Sequence, residues 1–107
     1  MHAKGGFIYI ITNKNRTVLY IGSTTDIKRR MLEHKSGAFP GFSKKYNCCD
    51  LLFYEFYTHI ADAAKRETQM KARKREWKLN LIKINNPELK DLASEWFNED
   101  ESVKMEK

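Results

Sequence analysis

This chain has few cysteines and no long apolar run, and it is too short for a second folded module. Its only cysteines, Cys48 and Cys49, are adjacent. Neighbouring residues make a poor structural disulfide, and two thiols without several histidines nearby fall short of a zinc site. They are expected as buried or half-buried free thiols in a reducing compartment. No stretch approaches the roughly 20 apolar residues of a membrane-spanning helix, and residues 1–7 lack the apolar centre of a signal peptide. The expectation is therefore a cytoplasmic protein with no membrane partner. No internal repeat and no interdomain linker is visible, and 107 residues bound the chain to one domain with a modest core.

Aromatic residues, in contrast, make up 12% of the chain and hydrophobic residues 41%, which excludes a disordered polypeptide. The net charge is +6, from 20 Lys and Arg against 14 Asp and Glu. Residues 98–107 hold four of the acidic and two of the basic side chains, so residues 1–97 carry 18 basic against 10 acidic. That segment is read as the folded domain, and 98–107 as a disordered acidic tail. Residues 65–78 alone contain seven Lys or Arg, opposed only by Glu67 and Glu76. A polyanion such as nucleic acid is the natural partner for such a surface, because phosphate contacts release counterions whatever the sequence. Read alone, the same run is equally a solvated helix face.

The local patterns point to an α+β domain. Apolar runs at 7–12 and 17–22 flank Asn13-Lys14-Asn15-Arg16, a turn-forming stretch, and read as a β-hairpin. A helix follows: Ser23-Thr24-Thr25-Asp26 offers caps and an acidic first turn, and Ile27 and Met31 fall one turn apart. Arg30 and His34, spaced i, i+4, share a face that leans back toward the hairpin. Residues 36–47, with Gly37, Pro40 and Gly41, read as a loop. In it Phe39, Phe42 and Tyr46 alternate with Ser43, Lys44 and Lys45, so it could lie against a substrate or close the core edge. Residues 51–57 form a third strand, 60–72 a helix, and 75–84 a further helix ended by Pro87. Leu89, Leu92, Trp96 and Phe97 then dock as a turn or short helix. The expected fold is a small, mostly antiparallel three-stranded sheet flanked by three or more helices.

The order Phe7-Ile8-Tyr9, Tyr20-Ile21-Gly22, Ser23 to Arg30 and Glu33-His34 resembles the GIY-YIG nuclease superfamily, in particular its small single-domain bacterial branch, akin to the catalytic domain of excision-repair endonucleases. The stretch from Ala64 to Lys71 is similar to a second signature of that branch, and Asn86-Pro87-Glu88 to a third. The first glycine of the family pattern is Phe7 here, a change a strand tolerates because the phenol is on Tyr9.

The resemblance implies an endonuclease that hydrolyses phosphodiester bonds in nucleic acid, DNA being the expected form and repair or recombination the expected setting. Glu67 falls where the family keeps its metal-binding carboxylate, for Mg²⁺ or Mn²⁺. The resemblance puts the general base on Tyr20, with Tyr9 beside it; a phenol, with an ordinary pKa of about 10, needs cations such as Arg29, Arg30 and the metal close by to ionise at neutral pH. Arg30 would grip the phosphate as a bidentate fork. His34 would share proton handling or orient the phosphate. Gly22, Arg29, Lys44, Lys45, Lys71, Arg73 and Lys74 are expected around the substrate, and Asn86 to hold a water or a tyrosine hydroxyl. Individually these residues have plain structural readings: cross-strand aromatics, a satisfied histidine, a strand-end glycine, an intrahelical partner for Lys71. Two other functions fit the composition, a non-catalytic nucleic-acid-binding module and a protein-interaction domain. A chain this small would take sequence specificity from its loop, a homodimer or an accessory protein.

Overall fold

The computed structural model describes residues 5–38 and 41–97. Phe39, Pro40 and the acidic tail at 98–107 lie outside these residues. Strands β1 (Gly6–Thr12), β2 (Leu19–Thr24) and β3 (Asp50–Tyr57) form one sheet in the order β2-β1-β3, antiparallel throughout. Four helices accompany it: α1 (Ile27–Ser36), the single-turn α2 (Phe42–Lys45), α3 (Ile60–Lys71) and α4 (Arg75–Asn85).

β1 is the central strand and is covered on both faces, so its apolar run has no polar alternation. Ile8 and Ile10 point to one side and pack with Ile21, Leu52, Phe53, Met70 of α3 and Ile82 of α4. Tyr9 and Ile11 point to the other and pack with Ile27 and Met31 of α1, Cys48, Leu51 and Ala93. Two small cores therefore sit back to back. A tyrosine at an inward position of the second one puts a phenol where an aliphatic side chain is expected.

The β1–β2 turn is held by side chains. Asn13 Oδ1 accepts from the Thr17 and Val18 amides at 2.8 and 3.0 Å. Arg16 adopts φ +60°, left-handed for a residue with a side chain. Its guanidinium compensates by reaching Asp50 at 2.6 Å and the Leu89 carbonyl at 3.0 Å. The hairpin tip is thereby tied to β3 and to the segment after α4.

α1 starts where expected, with Asp26 as the N-cap itself: its carboxylate accepts from the Arg29 amide at 3.1 Å. Gly37 ends the helix at φ +77°, its amide donating to the His34 carbonyl. Residues 36–47 contain a helical turn, α2, where the sequence reads as loop. Four residues are too few for a period to show, and the ring pair Phe42–Tyr46 that spans the turn, centroids 4.7 Å apart, is an i, i+4 contact. Both cysteines are free, Cys48 buried and Cys49 half-buried. After α4, residues 92–97 form turns, and the Leu92 amide donates to the Leu51 carbonyl at 2.7 Å.

Asn86 belongs to this scaffold. It is 6% exposed, and its Nδ2 donates to the carbonyls of Leu52 and Lys90 at 3.1 and 2.8 Å while Oδ1 accepts from the Lys90 amide at 3.0 Å. Both Nδ2 hydrogens and one lone pair of Oδ1 are thus engaged with backbone. Replacing Asn86 by Ala removes the side-chain partner of one buried and two part-buried backbone groups and is expected to lower stability by about 1–3 kcal/mol. The check is the denaturation midpoint at unchanged slope.

Candidate active site

Tyr9 stands opposite Gly22 across the β1–β2 pair. The absence of a side chain there is required: a Cβ on Gly22 would lie 2.5 Å from the Tyr9 hydroxyl oxygen and 2.7 Å from Cζ. The phenol thus lies across the β2 backbone and projects its hydroxyl toward α1. There it meets His34 Nε2 at 3.1 Å and receives Arg30 Nη1 at 3.4 Å. Arg30 and His34 are one turn apart on α1, and His34 continues the buried stripe of Ile27 and Met31. It occupies an apolar position because both ring nitrogens are met: Nδ1 lies 3.0 Å from Ser43 Oγ of α2.

Burial raises the Tyr9 pKa to about 12, against a hydrogen bond from Arg30 that lowers it; the nearby charge of Glu67 adds to the rise. Burial also lowers the His34 pKa to about 4, helped by the Arg30 charge. At neutral pH both groups are uncharged. Because Arg30 donates to the phenol oxygen, the phenol's own proton is assigned to the bond with Nε2. The ring proton then sits on Nδ1 and is donated to Ser43. Burial works against the charge of Arg30, yet the Tyr9 hydroxyl and Glu33 outweigh it and its pKa is raised. Glu33 Oε1 holds Nε at 3.1 Å, while Nη1 is shared between the Tyr9 hydroxyl and the Ser23 carbonyl.

Tyr20 is half-buried beside this cluster, its ring 5.8 Å from the His34 ring and 6.5 Å from Tyr9. Glu67 reaches the same end of the sheet from α3: Ser23 Oγ donates to its Oε1 at 2.6 Å, and Lys71 pairs with Oε2 at 2.6 Å. The structure therefore brings Tyr9, Tyr20, Gly22, Arg30 and His34 together, with Glu67 joined through Ser23. Among the flanking cations, Arg29 pairs with Glu33 at 3.4 Å and Lys71 with Glu67, so neither stands alone. Arg73 lies 5.0 Å over the Trp77 ring, Lys74 is the residue before α4, and Lys44 and Lys45 are exposed on α2. Asn86 is not part of the group. Sequence reasoning took Ser23 for a helix cap and gave Ser43 no role; a hydroxyl that meets a histidine nine residues away has no spacing signature.

With this geometry in view, comparison with known proteins is decisive. Residues 5–80 match the GIY-YIG catalytic domain. The chain belongs to that family. It is also 36% identical over 83 residues, 77% of this chain and 93% of the relative, to a UPF0213 protein of Syntrophus aciditrophicus. A UPF0213 protein of Streptococcus pyogenes is 32% identical over 92 residues, 85% of this chain and 99% of the relative. Membership therefore extends to the UPF0213 family of small bacterial proteins. The solution NMR structure of a UPF0213 protein from Bacillus halodurans has the same fold, with a TM-score of 0.52 at 22% identity, covering 85% of this chain and 97% of that one.

Two expectations follow from the buried cluster. His34 binds a proton more weakly in the folded chain than when unfolded, so the unfolded state carries more protons between pH about 4 and about 6.5. Stability is then complete above that window and falls as pH drops through it, by at most about 1.4 kcal/mol per pH unit from this residue. An NMR titration should place the His34 midpoint well below 6.5, and His34→Gln should flatten the loss. The second concerns Gly22→Ala, which forces the phenol off its partners and should cost about 1–3 kcal/mol. Its signature is a shifted His34 ring resonance in addition to a lower melting temperature.

Proposed function

We propose that this chain is a metal-dependent endonuclease that hydrolyses phosphodiester bonds in nucleic acid, DNA in the first instance. The observation that carries the reading is the cluster in which Arg30 and His34 converge on the Tyr9 hydroxyl while Ser23 ties Glu67 to the same end of the sheet. Family membership supports it.

The donor set fits a hard divalent cation under one condition. Among the described residues no group of three or more His, Cys, Asp or Glu could hold a metal ion. Mg²⁺ binds through one or two carboxylates and keeps several waters, so Glu67 suffices where water and substrate phosphate complete the shell. Glu67 would hold the ion with the Ser23 hydroxyl beside it, and Lys71, whose side chain is 53% exposed, is free to swing away from the carboxylate. The ion would supply Lewis-acid polarisation of the phosphate.

The chain's own residues divide the remaining work. Arg30 offers a planar guanidinium to the charge that builds on the phosphate oxygens. Tyr9 is 0% exposed and keeps its proton, so it positions Arg30 and His34 and does not meet water directly. Tyr20 is half-buried at the border of solvent, and once its own proton has passed to bulk water it takes the proton of the attacking water. His34, neutral and within ring contact of both tyrosines, orients them. The exposed basic side chains of α3, α4 and the link between them, Lys65, Arg73, Lys74 and Arg75 among them, attract the polyanion.

One observation favours a binding module without turnover: the 2.6 Å pair of Lys71 with Glu67 neutralises the carboxylate the metal would need. Cleavage of nicked, branched and single-stranded substrates with Mg²⁺ or Mn²⁺ separates the two readings. Glu67→Gln should abolish cleavage while binding and folding persist. Arg30→Ala should lower turnover by roughly two to three orders of magnitude with far less effect on binding, and Arg30→Lys should restore little. Full activity of Glu67→Gln, or of wild type in EDTA, would refute the metal-dependent reading.

A further inference from the structure

Beside the active site, the rings of Phe42 and Tyr46 are exposed, at 49% and 40%, where a small domain gains nothing in stability by leaving them open. They are in contact with each other at 4.7 Å, and Phe42 lies nearly parallel to Tyr20, 21° between planes and 6.0 Å between centroids. A row of rings thus runs from the buried Tyr9 through Tyr20 and Phe42 to Tyr46. Lys44 and Lys45 stand on the same helical turn, both exposed, and the Lys45 ammonium lies 5.5 Å from the Tyr46 ring. The turn itself is anchored from its inner side, where the buried Ser43 meets His34.

We propose that Phe42 and Tyr46 form a stacking platform for an unpaired base of the nucleotide adjoining the scissile phosphate, so that the site takes single-stranded nucleic acid. This rests on the nuclease reading for its orientation. The chemistry follows from the pairing of groups: an aromatic face accepts any base without hydrogen-bond readout, and the flanking ammonium groups meet its phosphates. A base within a duplex has both faces occupied by its neighbours and cannot use the platform. Because Ser43 links α2 to His34, a strand seated on the rings is held in register with the catalytic cluster.

The test compares binding of a fluorescent single-stranded oligonucleotide, as DNA and as RNA, with a hairpin duplex of the same strand, in EDTA so that nothing is cut. Phe42→Leu combined with Tyr46→Leu keeps apolar bulk on the helix and removes both π faces. Affinity for the single strand should fall about tenfold or more, while the duplex changes less than about twofold. Phe42→Tyr and Tyr46→Phe should bind as wild type does. Tyr46→Leu alone, which leaves the Tyr20–Phe42 contact intact, serves if the double variant melts early, and should still lose several-fold on the single strand. No loss, or an equal loss on strand and duplex, overturns the platform. Cleavage with Mg²⁺ is scored separately. Platform-dependent binding without cleavage would sink the nuclease reading alone, and cleavage with unimpaired Leu variants the platform alone.

Discussion

A phenol hydroxyl buried in an apolar core must find partners or cost the fold several kcal/mol. Tyr9 is such a group, at 0% exposure in the middle of the central strand, and much of the structure around it is arranged to satisfy it. Gly22 is bare so that the ring can cross β2. α1 is set with Arg30 and His34 facing the hydroxyl, and Asp26 and Gly37 define its two ends. His34 in turn, placed on a buried stripe, needs an acceptor for its second nitrogen, and that requirement reaches α2 through Ser43. The hydrogen-bonded chain Arg30–Tyr9–His34–Ser43 therefore joins three elements of the fold, and each link is a group that would be destabilising if left unpaired.

The charge is layered around this neutral centre. Tyr9 and His34 are uncharged at neutral pH, Arg30 is charged and partly covered, and the rest of the basic side chains are mostly outside. Glu67 and Glu33 are the acidic counterweights, one shared between Ser23 and Lys71, the other between Arg29 and Arg30. A phosphate entering this environment competes with carboxylates for both arginines. Arg30 is held by Glu33 at Nε while its Nη1 meets Tyr9 and Ser23, so a phosphate would have to displace existing partners.

Much of the fold was legible because its signals are local. Short apolar runs and turn chemistry mark the hairpin, Asn13 and Arg16 both lying in the expected turn, and Asp26, Gly37 and Pro87 mark helix limits. The convergence of Tyr9, Arg30 and His34 was legible from helical spacing together with motif order. The loop-closing role of Asn86 was not legible for a physical reason: an asparagine beside a proline looks alike whether its amide faces a substrate or closes a loop, and three bonds to Leu52 and Lys90 were invisible from its neighbours. Ser43 was missed for the same reason. α2 was read as loop because one turn of helix held by a ring pair leaves no period in the sequence.

The two tyrosines carry the last step. They sit on adjacent strands with their rings 6.5 Å apart, yet their surroundings separate their chemistry. Tyr9 is closed off from solvent, and burial holds its proton with a pKa near 12, so proton abstraction from water by Tyr9 would require both exposure and ionisation that the fold opposes. Tyr20 faces a different boundary: one side rests on His34, and the other lies against Phe42 at the edge of solvent. Its ring is half-buried between the neutral imidazole and the exposed Phe42 ring. If a substrate strand lies along Phe42, it covers that edge and removes competing solvent, which strengthens the field of Arg30 on whatever charge develops there. On the proposed reading, the buried tyrosine sets the geometry, the bordering one handles the proton, and α2 both positions His34 and receives the strand.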